Sequence, residues 1–184
     1  AEASVRLTMV PPGTPLPADA DLVILPGTKS TRGDLAFLRA QGWDIDLYAH
    51  VRRGGAVLGI CGGYQMLGKW ILDPRHVESD HSRAQGLGLL PLTTVFTPDK
   101  STHQIKGRVA EGRGILRGAA GLPLRGYEIH MGRTSVTGTN PGPAFILSDR
   151  SDVPVTSETA HEGLLDPSGR VLGTYIHGLF HNGG

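Results

Sequence analysis

The stretch LGICGGYQMLG, residues 58–68, holds the chain's one cysteine, Cys61, among four glycines. An apolar run, AVLGI from Ala56 to Ile60, leads into it as a buried strand, and GGYQMLGKWIL reads as helical from about Tyr64 onward. A cysteine between strand and helix, with Gly59 two residues before it and Gly63 two after, fits the strained turn that lifts a nucleophile clear of the backbone. Side chains at those flanking positions would collide within the bend. The helix that follows points its positive end at the sulfur, which favours thiolate, and its free N–H groups can bind an oxyanion. A small hydrophobe packed in a core is the plainer reading of a lone thiol, but that role requires none of these glycines.

Upstream, ADLVILPGTKST contains four consecutive apolar residues, Leu22 to Leu25, cut by Pro26 and Gly27. An unbroken apolar run suits a strand covered on both faces, as in a parallel sheet. STRGDLAFLRAQGW and DIDLYAHVRRGG follow with near-helical apolar spacing, the second stopping at Gly54-Gly55. Alternating strands and helices imply an α/β protein, an open, mostly parallel sheet flanked by helices. SVRLTMV reads as a further strand, Val5 to Val10, ended by Pro11-Pro12. The middle of the chain departs from this rhythm. LPLTTVFT and HQIKGRVA read as antiparallel strands with turns between them, an insertion in the sheet, and LRGYEIHMGRTSV as a strand ending at Gly132. GLLDPSGRVLGTYIHGLF reads as a hairpin turning at Asp166–Gly169.

Composition narrows the class. The chain has 184 residues, 39% hydrophobic and 19% charged, with a net charge of +1. That is enough for one domain with a core, and no strong field is present to draw nucleic acid or an anionic membrane. No stretch approaches the roughly 20 apolar residues of a membrane span. One cysteine forms no internal disulfide, so the expected compartment is a reducing cytoplasm. Glycine, 27 of 184 residues, stands at about twice its usual share of ~7%, which implies many tight turns.

A cysteine nucleophile needs a base. His177, in GTYIHGLFHN, ends a core strand and would share a sheet edge with Cys61; His130, in GYEIHMG, is a second candidate on the same logic. His50, His76, His81, His103 and His161 read as solvated surface. A second oxyanion donor is expected from the loop LPGTKST, where Gly27 can turn its N–H inward. GTKS at Gly27–Ser30 is not a phosphate loop, since that pattern needs glycine directly before lysine and Thr28 stands there. His177 and His181 have a spacing that can chelate zinc on a helix, but Gly178 and the strand before it argue against a helix, so no metal site is expected.

LPGTKST, GICGGYQMLG, GYEIHMGRT and GTYIHGLF, in this order, resemble the class I (triad-type, flavodoxin-like) glutamine amidotransferase domain of cobyric acid synthases. The resemblance implies a glutaminase in which Cys61 attacks the amide of glutamine and His177 serves as base and acid. It implies an oxyanion hole from the Gly27 and Gly62 N–H groups, and Gln65 holding the substrate. It also implies a partner, an ATP-dependent synthetase domain that uses ATP and Mg²⁺ to amidate a corrinoid, adenosylcobyrinic acid a,c-diamide, whereas this domain needs no cofactor of its own. Residues 1–184 are then one glutaminase domain within a longer protein, with the family's first strand expected before Ala1 and a last helix after Gly184. Many class I members carry glutamate two residues after the histidine; here that position is Leu179, and Glu128 is the candidate orienting acid. The glutaminase of lipid II amidating complexes shares CGGYQ and is the alternative, as is a non-catalytic scaffold derived from such a domain.

Overall fold

The computed structural model describes residues 4–157 and 159–181. Strand β1 (Leu22–Leu25) leads to helices α1 (Thr31–Ala40) and α2 (Trp43–Arg52), then to β2 (Ala56–Ile60) and the short α3 (Gly62–Leu67). Strands β3 (Trp70–Leu72), β4 (Arg83–Gln85), β5 (Leu92–Val109), β6 (Pro123–Val136) and β7 (Pro143–Arg150) form the middle. The hairpin β8 (His161–Leu165) and β9 (Val171–Thr174) and the two-residue β10 (Ile176–His177) follow, and a 3-10 turn, Leu179–His181, ends the described chain.

The apolar runs behave as period-2 burial demands. In β1, Val23 and Leu25 pack toward a core containing Leu35, Leu47, Tyr64 and Leu67, from the helices, while Leu22 and Ile24 pack toward a second core containing Ile105, Phe145 and Leu172. In β2, Val57 joins the first core and Leu58 the second. Each such side chain removed from water contributes about 1.5–3 kcal/mol. The helices lie on the first face; strands of the antiparallel region and the turn around Ile115 and Leu116 supply the second. Helix α2 ends where expected, with Gly54 at φ 92°, the left-handed conformation glycine adopts most easily.

The sheet order is β1-β2-β9-β8-β7-β5-β3-β4, with β6 paired to β5 and β10. The α/β class stands, but the sheet is mixed rather than mostly parallel. Only β1·β2, β2·β9 and β3·β5 run parallel, and the remaining pairings are antiparallel. Two of these three parallel pairings, β1·β2 and β2·β9, form the corner that carries Cys61. No helix among the described residues is long and apolar enough to cross a membrane.

Several sequence expectations change. The helix at Tyr64 begins at Gly62 and stops at Leu67, and Trp70–Leu72 is a strand. Gly68 turns extended, where a Cβ would lie 2.9 Å from the Leu92 carbonyl oxygen, and the Lys69 N–H bonds that oxygen at 2.7 Å. The two strands expected at LPLTTVFT and HQIKGRVA are one strand, β5, with a register shift between Val95 and Lys100, where Pro98 can donate nothing. β6 does not end at Gly132 but passes through it at φ 89°, opposite the irregular stretch of β5 between Val95 and Lys100. Val5–Val10 forms no strand: Val5, Leu7 and Met9 stand exposed, with no neighbouring strand among the described residues to complete a ladder. A strand before Ala1 and a helix after Gly184 lie outside the described residues.

Candidate active site

Cys61 leaves β2 at φ 54° and ψ −111°, a conformation rare for any residue but glycine. Such a backbone costs of order 1–3 kcal/mol and persists only where its surroundings fix it. Two backbone bonds hold it: its N–H donates to the Thr174 carbonyl in β9 at 2.8 Å, and its carbonyl accepts from Gln65 N at 3.1 Å. The flanking glycines are required sterically. A Cβ at Gly63 would lie 2.0 Å from the Leu25 carbonyl oxygen, and one at Gly59 2.7 Å from that of Gly63.

The thiol is half-buried and donates to the Ile129 carbonyl oxygen, with sulfur and oxygen 3.3 Å apart. Burial pushes its pKa up, and the Gly62 N–H beside the sulfur pulls in the other direction. At rest it is a neutral thiol beside an amide positioned to receive negative charge. Gly27 lies between Cys61 and His177: a Cβ there would sit 3.5 Å from the Cys61 Cβ and 3.4 Å from the His177 Cε1. The structure thus brings together Cys61, Gly62, Gly27 and His177. The His177 ring stacks on Tyr127 with centroids 5.2 Å apart and planes 5° from parallel. Its Nε2 is buried without a hydrogen-bond partner among the described residues, a costly state outside a reactive site.

Gln65 is placed behind the cysteine rather than in the open cleft. Its Oε1 accepts from the Thr31 hydroxyl at 3.1 Å, and its Nε2 donates to the Met131 carbonyl at 2.9 Å and to the Tyr175 hydroxyl at 3.2 Å. Glu128 is set apart from His177. The register opposes Tyr127 to His177 and Glu128 to Ile176, so Glu128 projects from the other face of β6. There its carboxylate, 3% exposed, is ion-paired to Arg150 at 2.9 Å.

His130 packs on a different ring. Its ring stacks on Tyr175 with centroids 3.8 Å apart, its Nδ1 lies 3.2 Å from the Gly132 carbonyl oxygen, and burial pushes its pKa down to about 4. His50 is not surface: it is buried under the Gly54-Gly55 turn, its Nε2 2.9 Å from the Ala56 carbonyl oxygen.

Other functional groups had no sequence signal. Glu78 accepts from the N–H groups of Thr31 and Arg32 at 2.6 and 2.9 Å, so a carboxylate of the chain itself fills the α1 N-terminus beside the site. Its loop is folded by the buried Asp73, which accepts from the N–H groups of Val77, Glu78 and Ser79. Glu162 is fully buried and accepts from the Thr174 hydroxyl and the Tyr175 N–H. Only folding shows that these three acids point inward. Among the described residues, no three of His, Cys, Asp and Glu gather as a metal site.

A thiol, an imidazole and a backbone amide beside the sulfur, at the carboxyl end of parallel strands, can perform acyl transfer through a covalent intermediate. The family model of the CobB/CobQ-like glutamine amidotransferase domain matches residues 1–184. Cobyric acid synthase of Paracoccus denitrificans (strain Pd 1222) is 54% identical over 100% of this chain, and that of Rhodobacter capsulatus 52% identical over 98%. The chain covers 34% of the length of each of these relatives. A solved structure of PurLQS from Thermotoga maritima aligns at a TM-score of 0.61 and 21% identity, covering 85% of this chain and 68% of that one. Another, a crystal structure of a glutamine amidotransferase, aligns at a TM-score of 0.52 and 16% identity, covering 85% of this chain and 70% of that one. These likenesses carry the fold, and the sequence match carries the family: the chain belongs to the CobB/CobQ-like glutamine amidotransferases.

Proposed function

We propose that residues 1–184 are the glutaminase domain of a longer cobyric acid synthase, releasing ammonia from glutamine for an ATP-dependent amidation. In this reading His177 takes the proton of Cys61 and the sulfur attacks the side-chain carbonyl carbon of glutamine. The resulting oxyanion is held by the N–H groups of Gly27 and Gly62. The histidine returns the proton to the leaving nitrogen, ammonia departs, and a γ-glutamyl thioester remains. Water, deprotonated by His177, cleaves the thioester, releasing glutamate and restoring the thiol. The observation that carries this reading is that a Cβ added at Gly27 would fall in contact with both the Cys61 Cβ and the His177 Cε1, in a chain of this family.

Ammonia then passes to a synthetase domain using ATP and Mg²⁺, whose substrate is adenosylcobyrinic acid a,c-diamide, in cobalamin biosynthesis. The names of the relatives support that assignment, and a free catalytic thiol suits the reducing cytoplasm. Gln65 acts through the strand it holds: its bond to Met131 fixes the stretch of β6 whose Ile129 carbonyl receives the thiol. A thiol neutral and occupied at rest fits a domain that idles until its synthetase engages.

The test is Cys61→Ser in the full-length enzyme. Glutamine-dependent amidation should vanish while amidation from free ammonia persists. Loss of both would contradict the division of labour.

A further inference from the structure

The backbone changes ladders within one residue at Tyr175. β9 ends at Thr174 in the parallel corner, and β10, only Ile176 and His177, pairs with β6 instead. Such a switch, where Thr174 and Ile176 are 0% and Tyr175 7% exposed, leaves backbone N–H groups that neither ladder satisfies. Two side chains satisfy them. The Tyr175 N–H donates to the Glu162 Oε1 at 2.7 Å, and the Ile176 N–H donates to the Thr174 Oγ1 at 3.0 Å. The Thr174 hydroxyl in turn donates to the Glu162 Oε2 at 2.6 Å.

This cluster also reaches the cysteine, because the Thr174 carbonyl accepts the Cys61 N–H at 2.8 Å. Glu162 therefore secures one residue, Thr174, that supports Cys61 on one side and leads to His177 two residues after the bend on the other. The geometry points to Glu162 as a positioning residue: its carboxyl, delivered by β8, fixes the bend that aims His177 at Cys61. It takes over, through the backbone, the work of the acid that position 179 lacks. Glu128 is ion-paired to Arg150, and the bend's N–H groups bond Glu162 and Thr174 instead.

A carboxyl so deeply buried needs a reason, since burial, with the Glu128 charge, pushes Glu162 up to about 7 even against the two bonds and the Arg150 charge that hold it down. Its remaining charged neighbours are Glu128 and Arg150, while Tyr64 packs nearby with its own pKa raised by burial and by Glu162.

The inference rests on the Cys61–His177 reading, and the experiment separates the two. In the intact protein, glutaminase kcat and KM are measured beside the rate of Cys61 alkylation by iodoacetamide across pH. The variants are Glu162→Gln, Thr174→Val, Thr174→Ser and His177→Ala. Misaiming a base by about an ångström costs up to about a hundredfold. Glu162→Gln should therefore lower kcat about tenfold or more with KM nearly unchanged, and slow alkylation near neutral pH. Thr174→Val should reproduce this, and serves if Glu162→Gln does not fold; Thr174→Ser, which keeps the hydroxyl, should restore both rates. If His177→Ala slows alkylation while Glu162→Gln and Thr174→Val leave it at the wild-type rate, the positioning role falls alone. If His177→Ala leaves alkylation unchanged, the base assignment falls and the positioning role with it.

Discussion

The corner around Cys61 and the β5–β6 hairpin solve opposite problems. In the corner, strands of four or five residues run parallel, are covered on both faces and meet the helices; there is almost no room for a side chain to change. The hairpin pairs an 18-residue with a 14-residue strand, broken by a register shift and half open to water. Yet the hairpin supplies the Ile129 carbonyl that receives the thiol and the Tyr127 ring that supports His177. Tight packing holds the nucleophile, and the two long strands arrange what lies around it.

The comparison breaks most sharply at glycines. Gly63→Ala would drive a Cβ to 2.0 Å from the Leu25 carbonyl oxygen, and overpacking of backbone costs about 3 kcal/mol or more. Gly138, in the turn after β6, has φ 89° but nothing within 4 Å of a Cβ, so Gly138→Ala should cost only about 1 kcal/mol of strain. Urea unfolding of both variants checks this; equal losses would remove the contrast in packing.

A second prediction concerns pH. The Glu162 pKa is raised from its ordinary 4.5 to about 7. The folded state therefore favours the proton, and the associated stability is complete below about pH 4.5 and lost as pH rises through 7. His130 is lowered from 6.5 to about 4, so its contribution is complete above 6.5 and lost as pH falls through 4. The two oppose each other between pH 4.5 and 6.5, each worth about 3 kcal/mol at most at 1.36 kcal/mol per unit. Glu162→Gln removes the first and leaves the second, so stability of the variant should climb from pH 4.5 to 6.5 more steeply than that of the wild type. An unchanged profile in urea melts would show that the buried carboxyl does not titrate there.

The smallest effect is expected at the hairpin's edge. Tyr127 is 44% exposed and stacks on His177; an aromatic pair contributes about 0.5–1.5 kcal/mol. Tyr127→Ala should leave the melting temperature within a few degrees and lower kcat by roughly two- to tenfold. A loss as large as that of His177→Ala would place Tyr127 in the chemistry itself.

The same contrast explains what the sequence made readable. β1, α1, α2, β2 and the elbow were legible because apolar period, glycine placement and burial agree there. The sequence of β5 reads as two strands because Pro98 interrupts the alternation, and the ladder resumes only through tertiary pairing with β6. The Val5–Val10 alternation was real but had no partner among the described residues. At the site, Cys61, Gly27, Gly62 and His177 carried local signals. Glu162 carried none, since a glutamate in a short strand reads as solvent-facing and only the fold buries it. Gln65 announced itself by residue type, and only the fold shows that its amide is fully occupied.

The left-handed backbone at Cys61 has a thermodynamic consequence. A glycine would occupy φ 54° with little strain, whereas a cysteine there carries a penalty that the rest of the domain must offset. The protein is thus held below the stability its own scaffold permits, and Cys61→Gly should yield a sturdier but inert molecule. Reactivity and robustness are in direct opposition at a single pair of torsion angles.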